Sequence, residues 1–174
     1  MSNRVELRAG GLQIAFTRQG DRFAHEIALV NDAEAQPLLR SLEGSDADIW
    51  PTSGVYQELH VEERPAGVQV ALLVGMAGKS HWSLSCEVDP ASQTLSLEAA
   101  CRVRELPDWL GSSYTLASGV ACEAGVLRLP GGSCQFTSSV AVVETPESLR
   151  FVPEVREETL PRTVVWSYRL TRLD

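Results

Sequence analysis

The sequence predicts an all-β protein, an antiparallel β-sandwich of about ten short strands. Three observations carry that expectation. Apolar and polar residues alternate with period two along most of the chain, as in Leu12-Ile14-Phe16 and Val164-Trp166-Tyr168-Leu170, which marks a half-buried strand. Gly, Pro, Asn and Asp break these runs at short intervals, as turns between strands require. Helical periodicity is almost absent. A lipocalin-like closed β-barrel is the alternative, since closure also removes exposed sheet edges.

The elements follow in order. Leu12-Ile14-Phe16 forms a strand, Gly20-Asp21 turns it, and Phe23-His25-Ile27-Leu29 returns. The polar segment Asn31 to Glu34 ends this hairpin. Gln36 to Leu42 is expected to form one or two helical turns, with Pro37 in the first turn, where its missing N–H costs nothing. Gly44-Ser45-Asp46 and Trp50-Pro51-Thr52-Ser53-Gly54 read as a long irregular loop. Tyr56 to Glu63 then meets Val68 to Val74 across Arg64-Pro65-Ala66-Gly67.

The next segment, Gly75 to Ser80, ends in Gly78-Lys79-Ser80 and invites comparison with a phosphate-binding loop. That loop needs a first glycine five positions before Gly78 and a helix after it. Leu73 occupies the first position, and His81 to Val88 alternates as a strand. Both conditions fail, so the segment is expected to be a turn.

His81 to Val88 pairs with Leu95 to Arg104 in a register that burial dictates, because a slip by one residue would move every side chain to the other face. Setting Val88 against Leu95 places Cys86 opposite Leu97, Leu84 opposite Ala99, and Trp82 opposite Cys101 on one apolar face. The other face then pairs Glu87 with Ser96, Ser85 with Glu98, Ser83 with Ala100, and His81 with Arg102. Further strands are expected at Tyr114 to Cys122, Val126 to Leu129, Cys134 to Val143, Leu149 to Val152 and Val164 to Leu170. Residues 1–174 read as a single domain.

Composition excludes some partners. The net charge of −8 repels phosphate backbones and anionic lipid, so neither nucleic acid nor a membrane surface is expected. No apolar run reaches the ~20 residues of a membrane helix, and the N-terminus lacks the apolar core of a signal peptide. A cytoplasmic protein is the expectation. Cys86, Cys101, Cys122 and Cys134 contain no Cys-x-x-Cys, so they read as reduced, unpaired and free of zinc. The three histidines have no ligand spacing, and no metal or cofactor is expected.

Candidate chemistry rests on a few residues. Trp50, Tyr56, Trp109 and Tyr114 lie in or beside the stretches "DIWPTSGVYQ" and "ELPDWLGSSY", with Asp48 and Asp108 next to the tryptophans. Aromatic faces with neighbouring carboxylates suit a saccharide, although aromatics at such positions more commonly plug the sandwich end. His60 stands between Glu58 and Glu62, and His81 beside Arg102; either histidine with a carboxylate is acid–base chemistry. His25 lies in an apolar row and reads as a core residue.

The strand-rich pattern with scattered histidines and carboxylates resembles the sugar mutarotase supersandwich in outline, although that family's paired catalytic histidine motifs are absent. The meander of hairpins resembles lipocalin-like barrels, without their N-terminal Gly-x-Trp signature. Three functions follow as expectations. The first is non-catalytic binding of a small polar ligand, such as a saccharide, or of a protein partner. The second is a mutarotase- or epimerase-like enzyme using His60 or His81. The third is a barrel around an apolar molecule. A homo-oligomer is compatible with each.

Overall fold

A computed structural model describes residues 4–173. The chain opens with a four-strand meander of β1 (Arg4–Ala9), β2 (Leu12–Gln19), β3 (Arg22–Asn31) and β4 (Glu34–Ser41). A loop of 16 residues, 42–57, crosses to a second meander of β5 (Glu58–Glu63), β6 (Gln69–Ala77), β7 (Ser80–Asp89) and β8 (Thr94–Val103). The remaining strands are β9 (Ser112–Leu116), β10 (Ala121–Glu123), β11 (Val126–Leu129), β12 (Gly132–Ser138), β13 (Ala141–Glu144), β14 (Ser148–Val152) and β15 (Arg162–Arg172).

All neighbours pair antiparallel. One sheet has the order β1-β2-β3-β4-β9-β14-β13 and the other β10-β11-β12-β15-β8-β7-β6-β5. Each sheet ends in strands with a single partner, so the fold is a two-sheet sandwich and not the closed barrel. A barrel would need β1 to pair with β13, or β5 with β10.

The expected β7–β8 register is the observed one, from His81 opposite Arg102 to Val88 opposite Leu95. Period two places Trp82, Leu84, Cys86 and Val88 inside, each at most 2 % exposed. Burying rows of this size against the facing sheet supplies most of the favourable folding free energy.

Other expectations need correction. Gln36 to Ser41 is strand, not helix, and Leu42 begins the loop: β4 pairs with β3 from Glu34 to Arg40, with a register shift where Leu39 faces Ile27 but Pro37 faces Ala28. Leu38 is the extra residue of a bulge, where a proline without an N–H is tolerated. Its carbonyl accepts the N–H of Ala117 at 2.9 Å, and Leu38 and Leu39 are both fully buried.

Cys134 to Val143 is two strands in different sheets, because the chain leaves β12 at Ser138 and joins the other sheet at Ala141. Tyr114 to Cys122 splits in the same way. These two crossings, together with β1 and with β4 in place of the expected helix, raise the strand number to fifteen among the described residues.

The turn at Gly75 to Ser80 is shorter than expected. β6 continues to Ala77, which pairs with Ser80, so only Gly78-Lys79 connect the strands. Gly78 has φ +55°, which glycine adopts without steric cost. Gly75 has a different task inside β6: a Cβ there would lie 2.2 Å from the carbonyl oxygen of Val55. The glycine lets loop 42–57 lie directly on the strand.

Candidate functional site

The sandwich interior holds a polar tie between the sheets. Tyr114 on β9 shares hydrogen bonds with His25 Nε2 on β3 at 2.7 Å and with Tyr168 on β15 at 2.5 Å. Trp166 Nε1 on β15 donates to the Ser112 hydroxyl on β9 at 2.9 Å. Burial keeps His25 neutral, lowering its pKa to about 4, because desolvation penalises the imidazolium. Phe151 stacks on Tyr168 at 4.0 Å between centroids and closes the cluster. Tyr56 and Tyr114, expected at a ligand rim, are 2 % and 0 % exposed, so their rings offer no face to solvent. Their apolar bodies satisfy the core while the Tyr114 hydroxyl satisfies the tie.

The loop aromatics are also tied down. Loop 42–57 caps one end of the sandwich, with Pro51 and residues 53–56 buried. Ser53 anchors it, donating its hydroxyl to the Ser113 carbonyl and accepting the Ser113 N–H, both at 3.0 Å. Trp50 is half-buried against the core. Trp109 is half-buried too; its Nε1 donates to the Thr52 carbonyl at 3.0 Å, and the Arg150 guanidinium lies 5.6 Å from its ring. Asp48 accepts the Ser45 N–H at 2.7 Å, which shapes the loop, and Asp108 is exposed. Period-two reasoning covers strands alone, so the burial of this loop carried no sequence signal.

His60, His81 and Arg102 lie elsewhere, on the outer face of the eight-stranded sheet. Cross-strand partners there form four rows. The first is Met76, His81, Arg102 and Thr163. The second is Glu58, Val74, Ser83, Ala100 and Val165. The third is His60, Leu72, Ser85, Glu98 and Ser167. The fourth is Glu62, Val70, Glu87, Ser96, Arg169 and Thr137.

This arrangement makes a trough along the strands. β6 forms an aliphatic wall, with Leu72, Val74 and Met76 exposed by 39 %, 49 % and 48 %. Its floor on β7 and β8 combines four small residues, Ser83, Ser85, Ser96 and Ala100, with His81, Glu87, Glu98 and Arg102. β15 forms the far wall, where Val165 is 52 % exposed. Two depressions occupy the trough. One, of about 490 Å³, is lined by Glu58, Val74, Met76, His81, Ala100 and Arg102 among others. The other, of about 440 Å³, is lined by Ser85, Ser96, Glu98, Ser138, Ser167 and Arg169 among others. The Ser96 hydroxyl accepts from Arg169 Nε at 3.1 Å and orients that guanidinium. Arg64 bridges Glu62 and Glu87 at 2.9 and 3.2 Å beyond the fourth row.

The structure thus brings His81, Arg102 and Glu58 to one depression and sets His60 at the sheet edge on β5. Neither Trp50 nor Trp109 lines either depression. Among the described residues, no group of three His, Cys, Asp or Glu side chains is placed to hold a metal, and no helix is long and apolar enough to cross a membrane. Comparison with known proteins finds no family whose profile the chain matches and no curated protein detectably similar to it.

Proposed function

We propose that the protein is a non-catalytic binding module, and that its ligand is a small hydroxyl-rich molecule of the saccharide class held in the outer trough of the eight-stranded sheet. One observation supports this reading above the rest. The 440 Å³ depression gathers six hydroxyl side chains, Ser85, Ser96, Thr137, Ser138, Ser139 and Ser167, around Glu98 and Arg169. Hydroxyls both donate and accept, Arg only donates, and an ionised Glu only accepts. That mixture matches the donor–acceptor hydroxyls of a sugar. Its size lies within the range of small-molecule sites, about 300–1,000 Å³.

The test is an NMR titration of isotope-labelled protein with a panel of mono- and disaccharides. Shifts should concentrate on β7, β8, β12 and β15. Ala100→Trp, which fills the floor with a large ring, should weaken binding of any ligand that spans both depressions. Arg169→Ala should weaken every binder. Shifts confined to the Trp50 and Trp109 loops would overturn the assignment of the trough.

A second reading has one observation behind it: His81 and Glu58 line the same depression, an acid–base pairing suited to a sugar-acting enzyme. A proton-exchange assay for anomer interconversion, run on the wild type and on His81→Gln, tests it. Equal background rates would leave binding as the sole function.

A further inference from the structure

Strand pairing gathers cations that are scattered along the chain. His81 faces Arg102, and Arg102 faces Thr163, on three adjacent strands. Lys79 stands in the turn that leads into β7, Arg104 follows the end of β8, and Arg162 opposes Val103. Strands lie about 4.8 Å apart, so these positions share one end of the sheet within roughly 10 Å across the strands. Lys79, His81, Arg102, Arg104 and Arg162 are all exposed.

The positive charges there are uncompensated. Arg4, Arg8, Arg22, Arg40, Arg64 and Arg156 are ion-paired elsewhere on the molecule. Among the described residues, Lys79, Arg102, Arg104 and Arg162 have neither an ion pair nor a side-chain hydrogen bond. Carboxylates are plentiful in a chain of net charge −8, yet these cations are left to repel one another. Such a group attracts an anion and raises its local concentration.

Resting on the binding reading above, we infer that the ligand is an acidic saccharide, with its hydroxyls in the Ser85–Arg169 depression and a carboxylate at Arg102.

Arg102 and His81 line the 490 Å³ depression beside Val74, Met76 and Ala100. A guanidinium is a planar fork that meets a carboxylate with two parallel hydrogen bonds. Apolar neighbours that exclude water strengthen such a contact. Glu58 lines the same depression and disfavours the second negative charge of a phosphate ester. Glu58, and Glu105 next to Arg104, also interrupt the patch, so it does not track a nucleic-acid backbone. His81 and Ser85 are four residues apart on β7, about 13 Å. The molecule therefore has at least two sugar units.

The probes are maltose, maltobionate and maltose 1-phosphate, titrated into the full-length protein and followed by NMR. Maltobionate should bind about five- to tenfold tighter than maltose at low salt, as a charge-assisted contact at an exposed site allows. It alone should shift His81 and Arg102. Raising the salt from about 0.02 M to about 1 M, where screening acts within about 3 Å, should remove most of that advantage. Arg102→Gln changes an exposed side chain, so the variant should keep the wild-type melting temperature. It should reduce maltobionate to the affinity of maltose.

Equal affinity for maltose and maltobionate, with shifts in the hydroxyl depression, would refute the carboxylate site and leave the sugar reading standing. A preference for maltobionate that survives Arg102→Gln would also refute it, since the carboxylate would then lie elsewhere. Tighter binding of maltose 1-phosphate than of maltobionate would overturn the choice of a carboxylate. Failure of every probe to shift any trough residue would remove both the inference and the reading beneath it.

Discussion

The buried His25 makes stability depend on pH in a way that can be worked out. Its ordinary pKa is 6.5, and burial lowers it to about 4 in the folded protein. The unfolded chain therefore binds a proton between these values that the native state refuses. Stability from this residue is complete above pH 6.5, falls as pH drops through that value, and levels off below about 4. Between pH 7 and pH 4 the loss is about 3 kcal/mol, at roughly 1.4 kcal/mol per pH unit. That corresponds to about 6–12 °C in melting temperature for a domain of this size. Glu43 works in the opposite direction. Burial raises its pKa despite the hydrogen bond from Ser41, so its neutral form favours the fold as pH falls. Comparison with His25→Gln separates the two, because glutamine can keep a hydrogen bond to Tyr114 and does not titrate. Urea unfolding of both proteins at pH 7, 6, 5 and 4 should show the variant losing about 3 kcal/mol less over the range. Parallel curves, or an imidazole resonance that titrates near its ordinary value in the native protein, would refute the argument.

Further outcomes are expected. Tyr168→Phe removes the hydroxyl that meets Tyr114 and leaves a buried partner short of a bond, which should cost about 1–3 kcal/mol in chemical denaturation. Gly75→Ala pushes a Cβ into the Val55 carbonyl and should cost about 1–3 kcal/mol or more; Lys79→Ala, at an exposed turn position, should change stability by less than about 0.5 kcal/mol, and Mg-ATP should leave the melting temperature of the wild type unmoved. The four thiols are unpaired; with Cys122 half-buried at a pKa of about 11 and the others more buried, native protein at pH 8 should react with a thiol reagent slowly, Cys122 first. Denatured protein should release four thiols at once.

How much of this was legible in the sequence depends on whether the determinant is local. The β7–β8 hairpin was readable to the residue, because two alternating runs and a four-residue loop, 90–93, leave one register that buries Trp82, Leu84, Cys86 and Val88 together. β4 was misread because Pro37 and the adjacent Leu38-Leu39 mimic the start of a helix. Only the bulge opposite β3, a non-local feature, makes two consecutive leucines both face apolar surroundings. The loop aromatics were visible as residues but not as positions. Whether Tyr56 faces water depends on loop 42–57 lying across Gly75, and that contact joins segments with no shared period.

The trough was half visible for the same reason. The hairpin register alone puts Ser83 beside Ala100 and His81 beside Arg102, which is the floor and one charged end. The walls come from β6 and β15, and β15 reaches β8 from 59 positions further along the chain, counting Val103 to Arg162. Alternation says that Val165 points away from the core, but not which strand lies beside it. A lone exposed valine is unremarkable on any surface. Val165 acquires meaning only when the pairing sets it one strand from Ala100 and three from Val74, so that two scattered apolar residues become opposite walls over a floor of serines and alanine. Outward-facing residues are free of the packing constraint that fixes the core. An apolar pair across such a floor therefore contributes little to folding, and alternation alone does not reveal it.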